Sequence, residues 1–158
     1  MYEKEPAKSY RYNDPQDADL GKILDPRHTA LLMIDMQNDF CDKEGKFAQA
    51  GRDASDVIRI VPRCKELLES ARSANVMVVH IQQSTLPGQQ SDNGGWLAFK
   101  TRDGKAPTYA TVNTWGWEHI DALKPHNDGE DGRYFEPVVL KFRPDGFLYT
   151  QLDLILRA

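Results

Sequence analysis

Cysteine is scarce in this 158-residue chain: Cys41 and Cys64 are the only two. That excludes a disulfide framework and fits a reducing cytoplasm. Long apolar runs are missing as well. The longest uninterrupted one, Ala30 to Ile34, is stopped by Asp35, far short of the ~20 residues a membrane-spanning helix requires. The opening Met1-Tyr2-Glu3-Lys4-Glu5-Pro6 has no apolar core of a secretory leader, so none is expected. Basic charge is not in excess: the net charge is −4 and the pI about 5.5. Neither nucleic acid nor an anionic membrane is therefore an expected partner. No glycine-rich turn follows the first apolar run, which excludes a dinucleotide cradle. His28, His80, His119 and His126 share no ligand spacing, so no metal and no cofactor is expected. There are no internal repeats and no low-complexity tract.

What is present alternates between strand-like and helix-like patterns, the signature of an α/β sheet. Residues 1–28 are polar and interrupted by Pro6, Pro15 and Pro26. They read as an arm with little structure of its own, with Tyr2, Tyr10 and Tyr12 to bury. Thr29 to Met36 reads as a parallel strand covered on both faces. Ser55 and Asp56 offer caps for a helix reaching about Ala74. Its apolar positions Val57, Ile60, Val61, Cys64, Leu67, Leu68 and Ala71 recur at helical spacing. Pro62 predicts a kink or a fresh start, and Asn75 suits the stop. A second strand spans Val76 to Ile81, completing a right-handed βαβ unit.

Residues 84–114 read as a long loop of the kind that lids a pocket, carrying Trp96, Phe99 and Lys100. Trp115 to Leu123 predicts a short helix capped by Thr114, and Asn127 to Arg133 a polar turn. A third strand spans Pro137 to Phe142. Thr150 then caps a helix running through Leu152, Ile155 and Leu156 to Ala158. Three strands leave a sheet with open edges and a small core. The mean hydropathy of −0.62 is also polar for a complete domain. The expectation is the front portion of a larger doubly wound fold, with an arm at 1–28 and the domain from 29 to 158.

Asp35 and Lys141 end the first and third strands, where open α/β sheets build their sites. If those strands are near neighbours, the two side chains share one crevice. A carboxylate there can take a proton from a nucleophile, and an ammonium beside it favours the ionised forms. A structural ion pair is the alternative reading. Cys41 lies in a loop with no oxyanion hole in view and reads as an incidental free thiol. Cys64 and His80 read as core. A phosphate-accepting receiver domain would also pair an Asp with a Lys, but it needs an acidic pair at the end of strand 1. Asp39 is displaced from Asp35 and no middle-strand Asp follows.

The segment Thr29-Ala30-Leu31-Leu32-Met33-Ile34-Asp35-Met36-Gln37-Asn38-Asp39-Phe40 closely resembles the first motif of the isochorismatase-like cysteine hydrolases. Lys141-Phe142-Arg143-Pro144-Asp145-Gly146-Phe147, followed by Thr150-Gln151-Leu152-Asp153, resembles the second. Thr114-Trp115-Gly116 is similar to a further element of that family. The chain departs from the pattern at Asp145, where a small residue is usual, and in the longer stretch Asn127 to Glu136.

The resemblance implies a Rossmann-like doubly wound parallel sheet in three α/β/α layers and an Asp–Lys–Cys triad. Asp35 would take the thiol proton, Lys141 would stabilise the charged pair, and a thioester would form and hydrolyse. It places the cysteine after a fourth strand, roughly 20 residues beyond Ala158, so the 158 residues alone are not expected to turn over by this route. Phe40, Gln83 and Trp115 are candidates for the substrate wall. The zinc pattern of nicotinamidase-type members is absent after strand 2, where His80-Ile81-Gln82-Gln83-Ser84 stands. The implied substrate is a small amide or ureido compound with a linear C–N bond, as for ureidoacrylate and carbamoyl amidohydrolases. A homo-oligomer is implied too. The competing reading is a non-catalytic or degenerate ligand-binding module.

Overall fold

The computed structural model describes residues 20–102, 108–127 and 135–158. Residues 1–19 of the arm expected over 1–28, with its three tyrosines, and residues 128–133 of the turn expected over Asn127 to Arg133 lie outside the described residues. The rest of the arm is not without structure, since it forms a helix at Leu20–Ile23 and a 3₁₀ turn at Pro26–His28. Six short-to-long helices and three strands follow in chain order: α1 (Leu20–Ile23), β1 (Ala30–Ile34), α2 (Asn38–Cys41), α3 (Lys46–Gln49), α4 (Ser55–Ser73), β2 (Met77–Gln83), α5 (Gly94–Lys100), β3 (Val138–Lys141) and α6 (Leu152–Arg157). Among the described residues, no helix is long and apolar enough to cross a membrane.

All strand pairing is parallel, in the order β1-β2-β3. The α/β class and the parallel sheet expected from the apolar runs are therefore what the chain forms. β2 is the central strand, and every residue after Met77 in it is buried. β1 is a flank rather than a fully covered strand: Ile34 is 50% exposed. Strand boundaries also move. β2 reaches two residues past Ile81, which brings Gln82 and Gln83 into the ladder opposite Leu140 and Lys141.

Alternation sorts the side chains into two layers. On one face Met33 and Val78 pack with Leu68 and Ala71 of α4, with Cys41 of α2 and with Leu123. On the other, Val79, Ile81 and Val139 pack against Leu152 of α6. The buried stripe of α4 is Val57, Val61, Cys64, Leu68 and Ala71, at three- and four-residue spacing. Ile60 and Leu67, expected on that stripe, flank it and are about half exposed.

α4 runs unbroken through Pro62; the expected kink does not end the helix, because packing of the stripe on both sides outweighs one missing backbone bond. Its start is also not capped by Ser55 or Asp56. Ala54 is the cap residue, and the Asp53 carboxylate accepts from the Ser55 N–H instead. The stop is as expected. Asn75 adopts φ 56°, its N–H donates to Arg72 O, and the Val76 N–H donates to Ala71 O. These two bonds form a Schellman closure.

The stretch 84–114 is not one loop. It contains a 3₁₀ turn at Pro87–Gln89 and the helix α5, whose cap residue Asn93 accepts from the Trp96 N–H. Trp96 and Phe99 stack along α5 at 5.3 Å, and Lys100 is buried against Asp92 at 2.5 Å. The helix expected over Trp115–Leu123 is two 3₁₀ turns, Trp115–Trp117 and Asp121–Leu123. The reason lies in the carbonyls. Trp115 O accepts from Asn38 Nδ2, Trp117 O from both Gln37 Nε2 and Gln82 Nε2, and Glu118 O from the Asn38 N–H. With these carbonyls bonded to neighbouring elements, tertiary bonds override local propensity. At the end of the chain Thr150 Oγ1 accepts from the Leu152 N–H, while Gln151 takes the cap position.

Candidate active site

β1 and β3 are not adjacent, yet their ends meet. Lys141 Nζ donates to Asp35 Oδ2 at 2.9 Å. The gap across β2 is closed by backbone geometry. Alternation would place Asp35 on the Met33 face of the sheet, whereas Lys141 pairs in register with Gln83 on the opposite face. Asp35 escapes this because its φ is 56°, a left-handed conformation uncommon for a residue other than glycine and tolerated best by Asp and Asn. The turn ends the alternation and aims the carboxylate across Gln83.

Gln83 therefore sits between the two charges. Its backbone N–H reaches Asp35 Oδ1 at 3.1 Å and Gln37 Oε1 at 2.9 Å. Its side-chain Oε1 accepts from Lys141 Nζ at 3.0 Å, and its Nε2 donates to Ser84 O. The Lys141 side chain is almost fully buried and the Asp35 side chain is about one-third exposed. A buried ammonium is tolerated only with such partners. The Asp35 carboxylate is the member of the pair open to an incoming group.

The residues that follow Asp35 build the surrounding wall. Gln37 is completely buried; its Nε2 donates to Gln83 O and Trp117 O. Asp39 is buried with its carboxylate accepting from the Lys46 and Ala110 N–H groups. A Cβ added to Gly116 would collide with that carboxylate, so only glycine fits there. This ties the loop of Tyr109 and the Trp115–Trp117 turn to α2. Phe40 meets Tyr109 edge-on at 5.3 Å, and Trp115 is 49% exposed. Of the three expected wall residues, Phe40 and Trp115 thus flank the same α2 segment, while both polar ends of Gln83 are already bonded. Read from the sequence, Gln37 has no role and Asp39 enters only as the second acid of a receiver-type pair; their burial inside a polar motif is visible only in the fold.

Neither cysteine stands ready as a nucleophile. Cys41 is buried, its Sγ 3.9 Å from Asp35 O, and burial pushes its thiol up to about 11. Cys64 packs against the core. Asp145 makes an Asx turn, accepting from the Phe147 and Leu148 N–H groups.

A second polar cluster lies within the sheet. His80 is fully buried and its Nε2 bonds Glu136 Oε2 at 2.8 Å. Glu136 also takes Arg72 through two nitrogens, at 2.7 and 2.9 Å, and the His126 N–H. Burial alone would raise the Glu136 carboxyl, but Arg72, the His126 N–H and His80 together hold it down to about 2. Burial pushes His80 down as well, and His119, edge-on to it at 5.3 Å, down to about 4. Glu136 ends the long stretch Asn127 to Glu136 before the third strand, and nothing in its spacing points to residues 72 and 80. Among the described residues there is no group of three or more His, Cys, Asp or Glu placed to hold a metal ion.

Residues 29–158 match the isochorismatase domain. The ureidoacrylate amidohydrolase RutB of Caulobacter segnis is 32% identical over 145 residues, covering 85% of this chain and 58% of that protein. RutB of Serratia proteamaculans is 29% identical over 145 residues, covering 84% and 55%. Among solved structures, a cysteine hydrolase from Pseudomonas syringae superposes with a TM-score of 0.64 at 27% identity, covering 84% of this chain and 55% of that one. An isochorismatase-like hydrolase from Alkaliphilus metalliredigens gives 0.60 at 28%, covering 82% and 60%. The chain spans 55–60% of the length of these relatives. With the parallel sheet and the match across residues 29–158, this chain belongs to the isochorismatase family.

Proposed function

We propose that this chain carries two members of a hydrolase site that cleaves a linear C–N bond in a small amide or ureido compound. The observation that supports it most directly is the Lys141 Nζ–Asp35 Oδ2 contact of 2.9 Å, with Asp35 still partly open. The 32% identity to ureidoacrylate amidohydrolase RutB supports that substrate class. Asp35 takes the proton of a cysteine thiol, and the thiolate attacks the carbonyl carbon. The tetrahedral intermediate collapses as the C–N bond breaks and the departing nitrogen takes a proton. Water then cleaves the thioester, releasing the acid and restoring the thiol. Lys141 holds the carboxylate in place through its Nζ–Oδ2 bond. Cys41 and Cys64 do not fit the nucleophile's role, so the reading places that thiol outside the sequence of residues 1–158. In the same reading residues 1–28 form an arm, residues 29–158 belong to the catalytic domain, Phe40 and Trp115 wall the pocket, and the assembly is a cytoplasmic homo-oligomer.

The test begins with the intact mass of the protein from its own source. A mass several kilodaltons above 18.0 kDa, with ammonia released from ureido compounds and lost in Asp35→Asn and Lys141→Met, is the expected result. A native mass of 18.0 kDa without turnover would overturn the hydrolase and favour a ligand-binding module.

A further inference from the structure

We infer that Gln83 is a positioning residue that sets the Lys141 ammonium on Asp35, a role distinct from contacting substrate; the inference rests on the Asp35–Lys141 reading above. Among the described residues, Gln83 is the one residue bonded to both charged groups, through its backbone to one and its side chain to the other. Its N–H holds Asp35 Oδ1 and its Oε1 holds Lys141 Nζ. Its amide orientation is fixed by its neighbours: reversed, an NH2 group would face the ammonium and an oxygen would face Ser84 O. It is 6% exposed, with Oε1 and Nε2 each bonded inside the protein.

The support behind it is equally specific. Gln37, fully buried, brackets the Gln83 backbone, accepting from its N–H through Oε1 and donating to its O through Nε2. Gln83 and Lys141 are register partners on adjacent strands, so the rigid ladder sets their separation. The chemistry suits a neutral amide. A carboxylate at 83 would hold the ammonium as well but would compete with Asp35 for its charge, and an apolar residue would leave one ammonium proton unbonded in a buried site. Lysine ammonium is otherwise a freely rotating point charge on a flexible stem. Two fixed acceptors, Asp35 Oδ2 and Gln83 Oε1, define its position.

The ammonium itself reports this. In the full 158-residue chain labelled with nitrogen-15 lysine, the Lys141 NH3 signal is identified by its loss in Lys141→Met. Slow proton exchange is expected in the wild type. Gln83→Leu should speed exchange roughly tenfold or more, the factor for one lost bond to a charged group. Gln83→Glu, which restores an oxygen, should return the exchange rate to near the wild-type value. Gln83→Asn, which keeps the amide but retracts its oxygen, should behave as Gln83→Leu and serves if that variant does not fold. Folded Gln83→Leu or Gln83→Asn protein with unchanged exchange would overturn the role of Gln83. Exchange that is unmoved by Asp35→Ala would instead overturn the Asp35–Lys141 pairing on which it rests.

Discussion

The Asp35–Lys141 pair is asymmetric, and that asymmetry fixes how substitutions should act. Lys141 is the buried partner, so removing Asp35 strands an ammonium that keeps only the Gln83 acceptor. Asp35→Ala should destabilise the chain by roughly 1–3 kcal/mol, between the values for exposed pairs and for fully buried pairs, because Asp35 is partly solvated. Adding Lys141→Met should recover much of that loss, since no charge is then stranded. Urea unfolding of the four members of this cycle is the check, and a double variant less stable than Asp35→Ala alone would contradict it. A second residue-scale prediction concerns acid. His119 is held neutral, with its folded pKa near 4 against an unfolded value near 6.5. The unfolded chain therefore binds the proton first, and stability falls as pH drops from about 6.5 to 4, by up to about 3 kcal/mol for this group. Glu136 acts lower: its contribution is complete above its unfolded value and is lost as pH falls towards about 2. His119→Gln should flatten the upper limb in urea midpoints taken between pH 7 and 4, and leave the lower limb in place. The meeting of Asp35 with Lys141 and the core placement of His80 are legible in the sequence because these residues stand in or at the ends of apolar runs. Glu136 is not, because its partners Arg72 and His80 come from other elements.

Among the elements, α4 shows most clearly what local patterning can and cannot say. Its stripe and its Asn75 stop are both written in the sequence. Pro62 is a local signal to break, overruled by packing on either side of it. The Ile58 carbonyl still has no N–H to accept at that position. Pro62→Ala restores this bond on the exposed side of the helix and should stabilise the chain by roughly 1–3 kcal/mol; thermal and urea unfolding test it, and an unchanged midpoint would mean the proline costs nothing here. The 3₁₀ turns over Trp115–Trp117 and Asp121–Leu123 fail in the other direction. Their sequence suits a helix, but the Trp115 and Trp117 carbonyls answer to Gln37, Asn38 and Gln82. Those bonds join residues some 35 to 80 positions apart, which is why no window along the chain reveals them. β2's two extra residues have the same character. Gln82 and Gln83 break the apolar run, yet they are strand residues because the ladder to β3 carries them.

At the scale of the molecule, the open question is what the sheet presents at its flanks. The sequence predicts a parallel α/β sheet with exposed edges, but it does not order the strands; the order follows from which flank can bury its residues. β2 buries nearly all of its length, and β1 does not. Ile34 is 50% exposed on β1, and Leu154 on α6 is 71% exposed beside a face that α6 covers only in part. Among the described residues no strand pairs with the outer edge of β1. An edge of that kind is a template for further pairing. The 158-residue chain should therefore self-associate, with a light-scattering mass that rises above 18.0 kDa as concentration increases. Ile34→Lys places a charge on the exposed face of β1 next to that edge, without removing a buried side chain. It should shift the distribution towards 18.0 kDa while far-ultraviolet dichroism and the urea midpoint stay near wild type. If Ile34→Lys leaves the mass distribution unchanged, association runs through another surface, and the half-exposed Phe147 and Leu148 become the positions to substitute next.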